Sequence, residues 1–313
     1  MFSFGFGDNH AEDDVADINS ASKGGGPQSR RAARDHRALA RPTAEVEAWQ
    51  VESITVGAGS LQLKRVLLPE DSVKDLLDGE GGDATAVVTD TDLVPEVYEG
   101  GFKLWECARD LLEVLHDMAR SGELVLEGAR VLEAGCGAGL PGALAVKLGA
   151  RLAVMQDYNP SVLTAVTMPT FQLNSLWPNV ESGKVRFVSG DWACVSAHLN
   201  ATAQASLRPE NAAASSHAQV CSMDLILTSD TIYSSEATSR LWQLVRELLS
   251  ADGTALIAAK SYYFGVGGSV AEFKALVASD GQFQCRTVRV WEDGASNRRE
   301  CLAITRQPKV EKQ

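Results

Sequence analysis

The chain has 313 residues, of which 45% are hydrophobic, and a formal net charge of −12 at pH 7. This length and apolar content suffice for one substantial core with an extension, and the negative charge argues against non-specific binding of nucleic acid by the whole chain. No apolar run reaches the roughly 18 residues of a membrane helix, and the first residues lack the basic start and the apolar core of a signal peptide. The six cysteines include no CxxC pair, so we expect no metal, no disulfide framework and a reducing intracellular compartment.

The N-terminal part differs in composition from the rest of the chain. Residues 1–44 change from acidic to basic and offer few apolar side chains for burial, which predicts a disordered tail. The basic run from Arg30 to Arg41 is consistent with a nuclear address, a partner-docking helix or a solvated charged tail. Residues 45–98 contain the strand-like pieces "ESITV" and "LQLKRVLL", which predict a small N-terminal β addition to the main domain.

From residue 99 to residue 308, strand-like and helical runs alternate. The strand-like runs are "ARVLEAG", "RLAVMQD", "KVRFVSGDW", "MDLILTSD" and "TALIAA", and two more close the domain with no helix between them. This alternation predicts a mostly parallel sheet with helices on both faces and a reversed strand at one edge. Residues 193–222 are rich in Ala, Ser and Asn and predict a long insertion loop.

A glycine-rich turn follows the first strand of this domain, where Glu133 precedes Gly135, Gly137 and Gly139. Glycine lets the backbone approach a ligand closely, and the next helix offers N–H groups at its start. The spacing does not fit the dinucleotide fingerprint, because Leu140 stands where that fingerprint has its third glycine. The pattern fits S-adenosylmethionine better, with Glu133 either stabilising the amino-acid end of this cofactor or ordering the loop. A tight structural turn is the alternative.

Polar residues also follow the next three strands. Asp157 ends the second strand, where its carboxylate can accept both hydroxyls of a ribose or else cap the next helix. Asp191 and Trp192 follow the third strand and can contact an adenine ring, although Trp192 by itself is equally consistent with packing over the sheet end. Ser229 and Asp230 end the fourth strand. Because ligands of open α/β sheets bind beyond the carboxyl ends of the strands, these positions together predict one cofactor pocket.

Six segments in this order, "YEGGFKLWEC", "LEAGCGAGL", "QDYN", "SGDW", "LILTSDTIY" and "YFGVGG", resemble the seven-strand S-adenosylmethionine-dependent protein-histidine methyltransferases. The resemblance covers about Tyr98 to Arg306. It implies the class I methyltransferase fold, a Rossmann-like α/β fold with a seven-stranded, mostly parallel sheet and one antiparallel strand. It also implies S-adenosyl-L-methionine as cofactor and a protein substrate, typically a histidine of a large-subunit ribosomal protein. We expect a cytoplasmic or nuclear monomer with no direct nucleic-acid or membrane contact.

The strand-end pattern and the resemblance together predict a set of cofactor-binding residues, and the resemblance implies that Leu104 to Ala108 contact the methionine end. By composition alone, Trp105 is equally a core aromatic residue. The set comprises Leu104, Trp105, Glu106, Cys107, Glu133, Gly135, Gly137, Gly139, Asp157, Tyr158, Asn159, Gly190, Asp191, Trp192 and Ser229.

Methyl transfer to histidine requires mainly alignment and exclusion of water. A neutral imidazole needs no strong base, but the proton on its other nitrogen needs an acceptor as positive charge develops. We expect Asp230 to be this acceptor and Tyr233 a wall or hydrogen-bond partner, the alternatives being a helix cap and a packed tyrosine. Tyr263, Phe264 and Gly265, in the glycine loop after the fifth strand, are expected to form the substrate pocket, unless this loop is a plain turn.

Three other functions are compatible with the sequence. A related lysine methyltransferase shares the Asp-x-x-Tyr segment from Asp230 to Tyr233, and a small-molecule methyltransferase would use the same cofactor. A non-catalytic domain would bind the cofactor and act as an assembly factor for a ribosomal protein. The chain departs from animal members at Ser234 and Ser235, where they have Asn-Pro, and at Tyr262, where they often have His. These departures lie on the expected substrate side.

Overall fold

Strands and helices alternate along most of the chain. The computed structural model describes residues 30–36, 50–78, 98–205, 221–292, 294 and 297–308. In chain order the elements are β1 (Arg34–His36), β2 (Gln50–Val56), β3 (Leu61–Leu67), α1 (Glu70–Asp78), α2 (Glu106–Ser121), β4 (Arg130–Ala134), α3 (Leu140–Lys147), β5 (Leu152–Asp157), α4 (Pro160–Val162), a π-helical turn (Leu163–Thr167), α5 (Met168–Leu173), α6 (Trp177–Glu181), β6 (Val185–Ser189), α7 (Trp192–Ala205), β7 (Met223–Ser229), α8 (Ser235–Leu248), β8 (Leu249–Lys260), α9 (Val270–Asp280), β9 (Phe283–Trp291) and β10 (Arg299–Arg306).

The main sheet has the strand order β1-β6-β5-β4-β7-β8-β10-β9. Strands β6, β5, β4, β7 and β8 are parallel, whereas β10 is antiparallel to both β8 and β9. Apart from β1, this is the predicted seven-stranded sheet with one reversed strand, and the predicted fold class is confirmed. The reversed strand β10 lies between β8 and the edge strand β9, and not at the edge itself as predicted. Strands β5 and β6 lie on one side of β4, and β7 and β8 lie on the other. The loops after β4 and β7 therefore lead to opposite sides of the sheet and leave a crevice at the carboxyl ends of the strands.

Apolar side chains bury both faces of the sheet. Val131 and Leu132 are neighbours on β4 and lie in separate core clusters, because successive side chains of a strand point to opposite faces. Val131 shares its cluster with Leu111 of α2, and Leu132 shares its cluster with Leu241 of α8. No helix in the described ranges is long and apolar enough to cross a membrane.

The predicted N-terminal β addition is confirmed as the antiparallel hairpin β2–β3. Its residues Ile54 and Leu63 are buried in the core. The Asn174 side chain accepts from the backbone N–H of Lys64 at 3.0 Å and donates to its carbonyl at 2.7 Å. These contacts attach the hairpin to the end of α5.

Part of the predicted disordered tail is ordered. Arg34–His36 form β1, which pairs antiparallel with β6, and Arg186 donates to the Asp35 carboxylate at 2.7 and 2.8 Å. For these residues the prediction of disorder is wrong, because the free edge of β6 supplies backbone partners that composition cannot reveal. The remainder of residues 1–44 lies outside the described residues, apart from residues 30–33.

The beginning of the predicted insertion loop is helical. Residues 192–205 form α7, with Val195 and Leu199 buried four residues apart on one face. The prediction of a loop from residue 193 is therefore wrong for this part, because a small apolar stripe in an Ala-rich helix is enough to bind it to the core. Residues 206–220 lie outside the described residues.

Candidate functional site

A cavity of about 360 Å³ opens at the carboxyl ends of the parallel strands. It is bordered by the segment before α2 and by the loops after β4, β5, β6 and β7. The predicted site residues that line it are Leu104, Trp105, Gly135, Gly137, Asp157, Tyr158, Gly190, Asp191, Trp192, Ser229, Asp230 and Tyr233. The others lie outside the lining that the described residues form: Glu106, Cys107, Glu133, Gly139, Asn159, Tyr263, Phe264 and Gly265.

The glycine turn after β4 is packed closely on both sides. Gly135 and Gly137 have φ values of 61° and 48°, in the left-handed region that favours glycine. A Cβ at Gly135 would lie 2.8 Å from Cγ2 of Thr231, and one at Gly137 would lie 3.1 Å from the carbonyl oxygen of Gly101. Since both glycines line the cavity, their backbone can approach a ligand where no side chain would fit.

Glu133 and Gly139 lie outside the described lining of the cavity and contact the residues that surround the glycine turn. The Glu133 carboxyl is buried and accepts from the N–H of Gly142 at 2.7 Å. Burial raises the pKa of Glu133 to about 8, so the group is largely protonated at pH 7. A Cβ at Gly139 would meet Thr167 at 2.7 Å. Of the two roles predicted for Glu133, the structure therefore agrees with ordering of the loop.

Asp157 connects the glycine turn to the start of α4. Its carboxylate accepts from the N–H of Gly137 at 2.9 Å and from the N–H of Asn159 at 3.2 Å. Burial raises the pKa of Asp157 to about 6. The Asn159 side chain accepts instead from the N–H of Glu99 at 3.4 Å, so Asn159 holds a segment of the cavity rim and does not line the cavity.

Gln156 joins three strand ends, and the site residues predicted from the sequence do not include it. Its Oε1 accepts from the N–H of Gly135 at 3.2 Å and from the indole N–H of Trp192 at 2.7 Å, while its Nε2 donates to the carbonyl of Gly190 at 2.9 Å. The indole of Trp192 is thereby fixed beside the glycine turn. The "QDYN" segment contains this glutamine, but its side-chain partners come from other strands.

The Asp191 carboxylate is already bound within the protein. It accepts from the N–H of Ala193 at 2.8 Å and from Arg240 at 2.7 Å, and its residue is 3% exposed. Arg240 also bonds Glu236 at 2.5 Å. Because both oxygens of this carboxylate already have partners within the protein, we expect nearby backbone groups, and not the Asp191 side chain, to contact an adenine ring.

Asp230 has a left-handed backbone, with φ at 55°. Its Oδ2 accepts from the N–H of Cys107 at 3.1 Å, at the start of α2, and its Oδ1 accepts from the Tyr263 hydroxyl at 2.9 Å. Burial raises the pKa of Asp230, while the Cys107 and Tyr263 donors and the charge of Lys260 act in the opposite direction. A helix N-terminus also favours a carboxylate. The carboxylate is therefore held in one orientation at the cavity wall.

The three residues of the loop after β8 that are predicted to form the substrate pocket lie outside the lining of this cavity. Tyr263 is buried, and its hydroxyl reaches Asp230, whereas Phe264 is 75% exposed and packs edge-on against Tyr262. Val266 is the residue of this loop that lines the cavity. A tight turn, in which the N–H of Gly267 donates to the Tyr263 carbonyl at 2.9 Å, separates these side chains. Phe264 and Gly265 lie outside the lining of this cavity, and their role in the substrate pocket stays a prediction. Tyr263 reaches the cavity wall through its bond to Asp230.

Glu99 and Trp105, in the segment before α2, both border the cavity. The Tyr233 hydroxyl donates to the carboxylate of Glu99, and both line the cavity. Burial and the neighbouring Glu99 carboxylate raise the pKa of Tyr233. Trp105 is half-buried and lines the cavity, with Lys103 Nζ 4.9 Å from its ring. Glu99 was not predicted, although the "YEGG" segment contains it.

The lining suits S-adenosylmethionine. Carboxylates of Glu99, Asp157 and Asp230 border the cavity, and this cofactor carries two positive groups, a ribose and no phosphate. The basic residues in the described lining are Lys103 and Arg240. Arg240 is already paired with Asp191. No group of three or more potential metal ligands occurs in the described ranges.

Comparison with known proteins identifies the family. A family model described as lysine methyltransferase matches residues 96–264. The histidine protein methyltransferase 1 homologue of Dictyostelium discoideum is 36% identical over 215 residues, which cover 69% of this chain and 60% of that protein. The homologue of Rattus norvegicus is 33% identical over 255 residues, which cover 75% of this chain and 65% of that protein. The chain thus covers only 60% and 65% of the length of these two relatives.

A solved structure agrees with the fold. A protein from Streptococcus mutans, described as a SAM-dependent methyltransferase, superposes with a TM-score of 0.50 at 13% identity, covering 83% of this chain and 56% of that one. The resemblance predicted from the sequence motifs is confirmed by the curated relatives. The chain therefore belongs to the methyltransferase family described as lysine methyltransferase, and within it is similar to the histidine protein methyltransferases.

Proposed function

We propose that this chain transfers a methyl group from S-adenosylmethionine to a histidine side chain of a protein. The observation that carries the proposal is the Asp230 carboxylate, held at the cavity wall by Cys107 and Tyr263. The names of the relatives, which are histidine protein methyltransferases at 33–36% identity, support histidine as the target side chain.

Bound in the cavity, S-adenosylmethionine would supply an electrophilic methyl group on its sulfonium. The target imidazole is neutral at pH 7 in most molecules, so one ring nitrogen already has a free lone pair. This lone pair would attack the methyl carbon as the carbon–sulfur bond breaks and S-adenosylhomocysteine leaves. Asp230 accepts the N–H of the other ring nitrogen, which fixes the tautomer and stabilises the imidazolium that forms, and the proton of this imidazolium is then released to solvent. Tyr233, Trp105 and Val266 line the same cavity and exclude water from the reacting atoms.

The fixed position of Asp230 matters because the reaction depends on alignment. An acceptor that must reorient as charge develops stabilises the transition state less than one that is already oriented. Two donors on separate elements, the start of α2 and the loop after β8, hold this carboxylate. Burial raises the pKa of Asp230, and the same two donors act in the opposite direction.

For the substrate we propose a large-subunit ribosomal protein, which is the typical target implied by the sequence resemblance. The chain would then act in the cytoplasm or the nucleus. A second candidate is a lysine methyltransferase, favoured by the description of the family model that matches residues 96–264. A lysine must lose a proton before it attacks, since its ammonium has a reference pKa near 10.4.

The test is methylation of a cell extract depleted of this protein, with labelled methyl donor and mass spectrometry of the products. Asp230→Asn keeps the left-handed backbone, which asparagine tolerates. It should lose about 100-fold in methylation rate and keep its affinity for S-adenosylhomocysteine within about threefold. Asp252→Asn, at an exposed carboxylate, is the matched control and should behave as wild type.

Each alternative has its own outcome. Methyl-lysine without methyl-histidine would reject the histidine proposal in favour of the second candidate. Cofactor binding without any methylated product would favour an assembly factor. Methylation of a small molecule and of no protein would overturn the protein substrate.

A further inference from the structure

The N-terminal strap, residues 31–36, lies against the wall of the cavity. The backbone N–H of Asp191 donates to the carbonyl of Arg31 at 3.0 Å. Gly190 has φ at 127°, and a Cβ there would lie 2.7 Å from Cα of Ala33. Gly190 and Asp191 both line the cavity. The strap therefore packs on the outer side of the loop after β6, at a glycine that leaves room for it.

Arg31 extends from the strap to a second wall of the cavity. Its guanidinium carbon lies 4.7 Å from the ring centroid of Tyr158, and its NH1 donates to the Tyr158 carbonyl at 3.3 Å. A guanidinium over an aromatic face at this distance makes a cation–π contact. Tyr158 follows Asp157 and lines the cavity. Arg31 thus holds both the ring and the backbone of a lining residue.

Side chains of β6 and α7 anchor the strap. Asp35 accepts from Arg186 at 2.7 and 2.8 Å and bonds Nε2 of His198 at 3.0 Å. His36 Nε2 lies 2.6 Å from Oγ of Ser189. The backbone pairing of β1 with β6 spans only three residues, and these side-chain bonds add to it in holding the strap.

We propose that the strap completes the adenosine end of the cofactor site and that Arg31 is a positioning residue for the cofactor, acting through Tyr158. The proposal rests on the assignment of the cavity to S-adenosylmethionine. The strap joins the two loops that would border the ribose and the adenine, those after β5 and β6, and holds their relative position. Loss of the strap should therefore speed cofactor dissociation while the sheet and the glycine turn stay intact.

The experiment is calorimetric titration of the full chain with S-adenosylhomocysteine, together with stopped-flow measurement of its dissociation. Arg31→Ala should weaken binding about tenfold, mainly through faster dissociation, with the melting temperature of the ligand-free protein unchanged. Arg31→Lys keeps the charge but loses the planar group, and should recover part of the affinity. Arg30→Ala, at the exposed neighbouring arginine, is the matched control and should bind as wild type does.

Asp35→Ala provides an independent variant, because it releases an anchor outside the cavity and should weaken binding in the same direction. If Arg31→Ala and Asp35→Ala both bind within about twofold of wild type, the strap has no role in the cofactor site. Absence of binding by the wild-type chain is a different result, since it would overturn the cofactor assignment itself.

Discussion

The hydroxyl of Tyr263 donates a hydrogen bond to Oδ1 of Asp230 across 2.9 Å. This contact connects the glycine loop after β8 to the cavity wall, although Tyr263 lies outside the lining formed by the described residues. The same hydroxyl accepts from the N–H of Lys260 at 3.2 Å, so its own orientation is fixed. The loop after β8 therefore reaches the cavity wall through a hydrogen bond, and its role in the substrate pocket stays a prediction.

Tyr263→Phe should lower the methylation rate about tenfold, because Asp230 loses one of its two orienting donors. The affinity for S-adenosylhomocysteine should stay unchanged, since the ring remains in the core. Steady-state kinetics and calorimetry measure the two effects separately. Tyr262→Phe is the matched control, because Tyr262 is 45% exposed and contacts Phe264 through its ring. Equal rates for the two variants would refute the role of the hydroxyl.

Gly135→Ala should reduce the affinity for S-adenosylhomocysteine more than 100-fold. The new Cβ would approach Thr231 within 2.8 Å and would force the backbone at the cavity out of its left-handed conformation. Gly122→Ala has a similar φ of 76°, but no described atom lies within 4 Å of its Cβ. This control should lose about 1 kcal/mol of stability and no affinity. Unchanged binding by Gly135→Ala in a folded protein would refute the assignment of the glycine turn.

Cofactor affinity should depend on pH through Asp157, whose pKa burial raises to about 6. The predicted contact of Asp157 with the ribose requires the ionised carboxylate, as the acceptor of hydrogen bonds from both hydroxyls. Above pH 6 the group is ionised before binding, and below pH 6 a proton must be released first. The affinity should therefore fall as pH decreases from 7 to 5, by up to about tenfold per unit below the pKa.

Calorimetry with S-adenosylhomocysteine between pH 5 and 8 tests this dependence. Asp157→Asn should bind more weakly at pH 8 and lose the pH dependence in this range. A wild-type profile as flat as that of the variant would show that Asp157 does not bind the ribose in its ionised form.

Stability should depend on pH through Glu133, whose pKa burial raises from 4.5 to about 8. Because the folded state holds this proton more tightly than the unfolded state, the stabilisation is complete below pH 4.5. It is lost as pH rises through 8. Glu133→Gln removes the titration and keeps an oxygen that can accept from the N–H of Gly142.

Thermal unfolding at several pH values measures this effect. The melting temperature of Glu133→Gln should decrease less than that of wild type between pH 6 and 8.5, and should exceed it at the upper end. Glu181→Gln, at an exposed glutamate, should follow the wild-type curve. A wild-type curve parallel to that of Glu133→Gln would contradict the raised pKa.

Glu99 and Tyr233 should act as a pair. Glu99→Gln and Tyr233→Phe each disturb the hydrogen bond between them, so each should lower the methylation rate about tenfold. The double variant should lose little more than either single one, as expected for residues in contact. Glu181→Gln, at an exposed glutamate outside the described lining, is the control. Independent, multiplying losses would show that the two residues do not act through their contact.

The order of the elements could be predicted from the chain because it depends on local pattern. Apolar runs of five to seven residues alternate with helical spacing, and each polar strand end, such as Asp157 or Asp230, lies where a parallel sheet gathers its ligand groups. The glycine turn was also predictable, since alternating glycines permit a backbone that other residues adopt only with strain.

The sequence by itself therefore determined the fold class, the edge of the sheet that carries the site, and the family. The tertiary structure decided which predicted residues face the cavity and which act behind it, as Glu133, Cys107 and Tyr263 do. It also revealed Gln156 and Glu99, whose partners are distant in sequence, and the ordered strap in a tail of disordered composition. The physical reason is that hydrogen-bond partners and strand edges from distant segments meet only in the folded chain, so local periodicity carries no information about them.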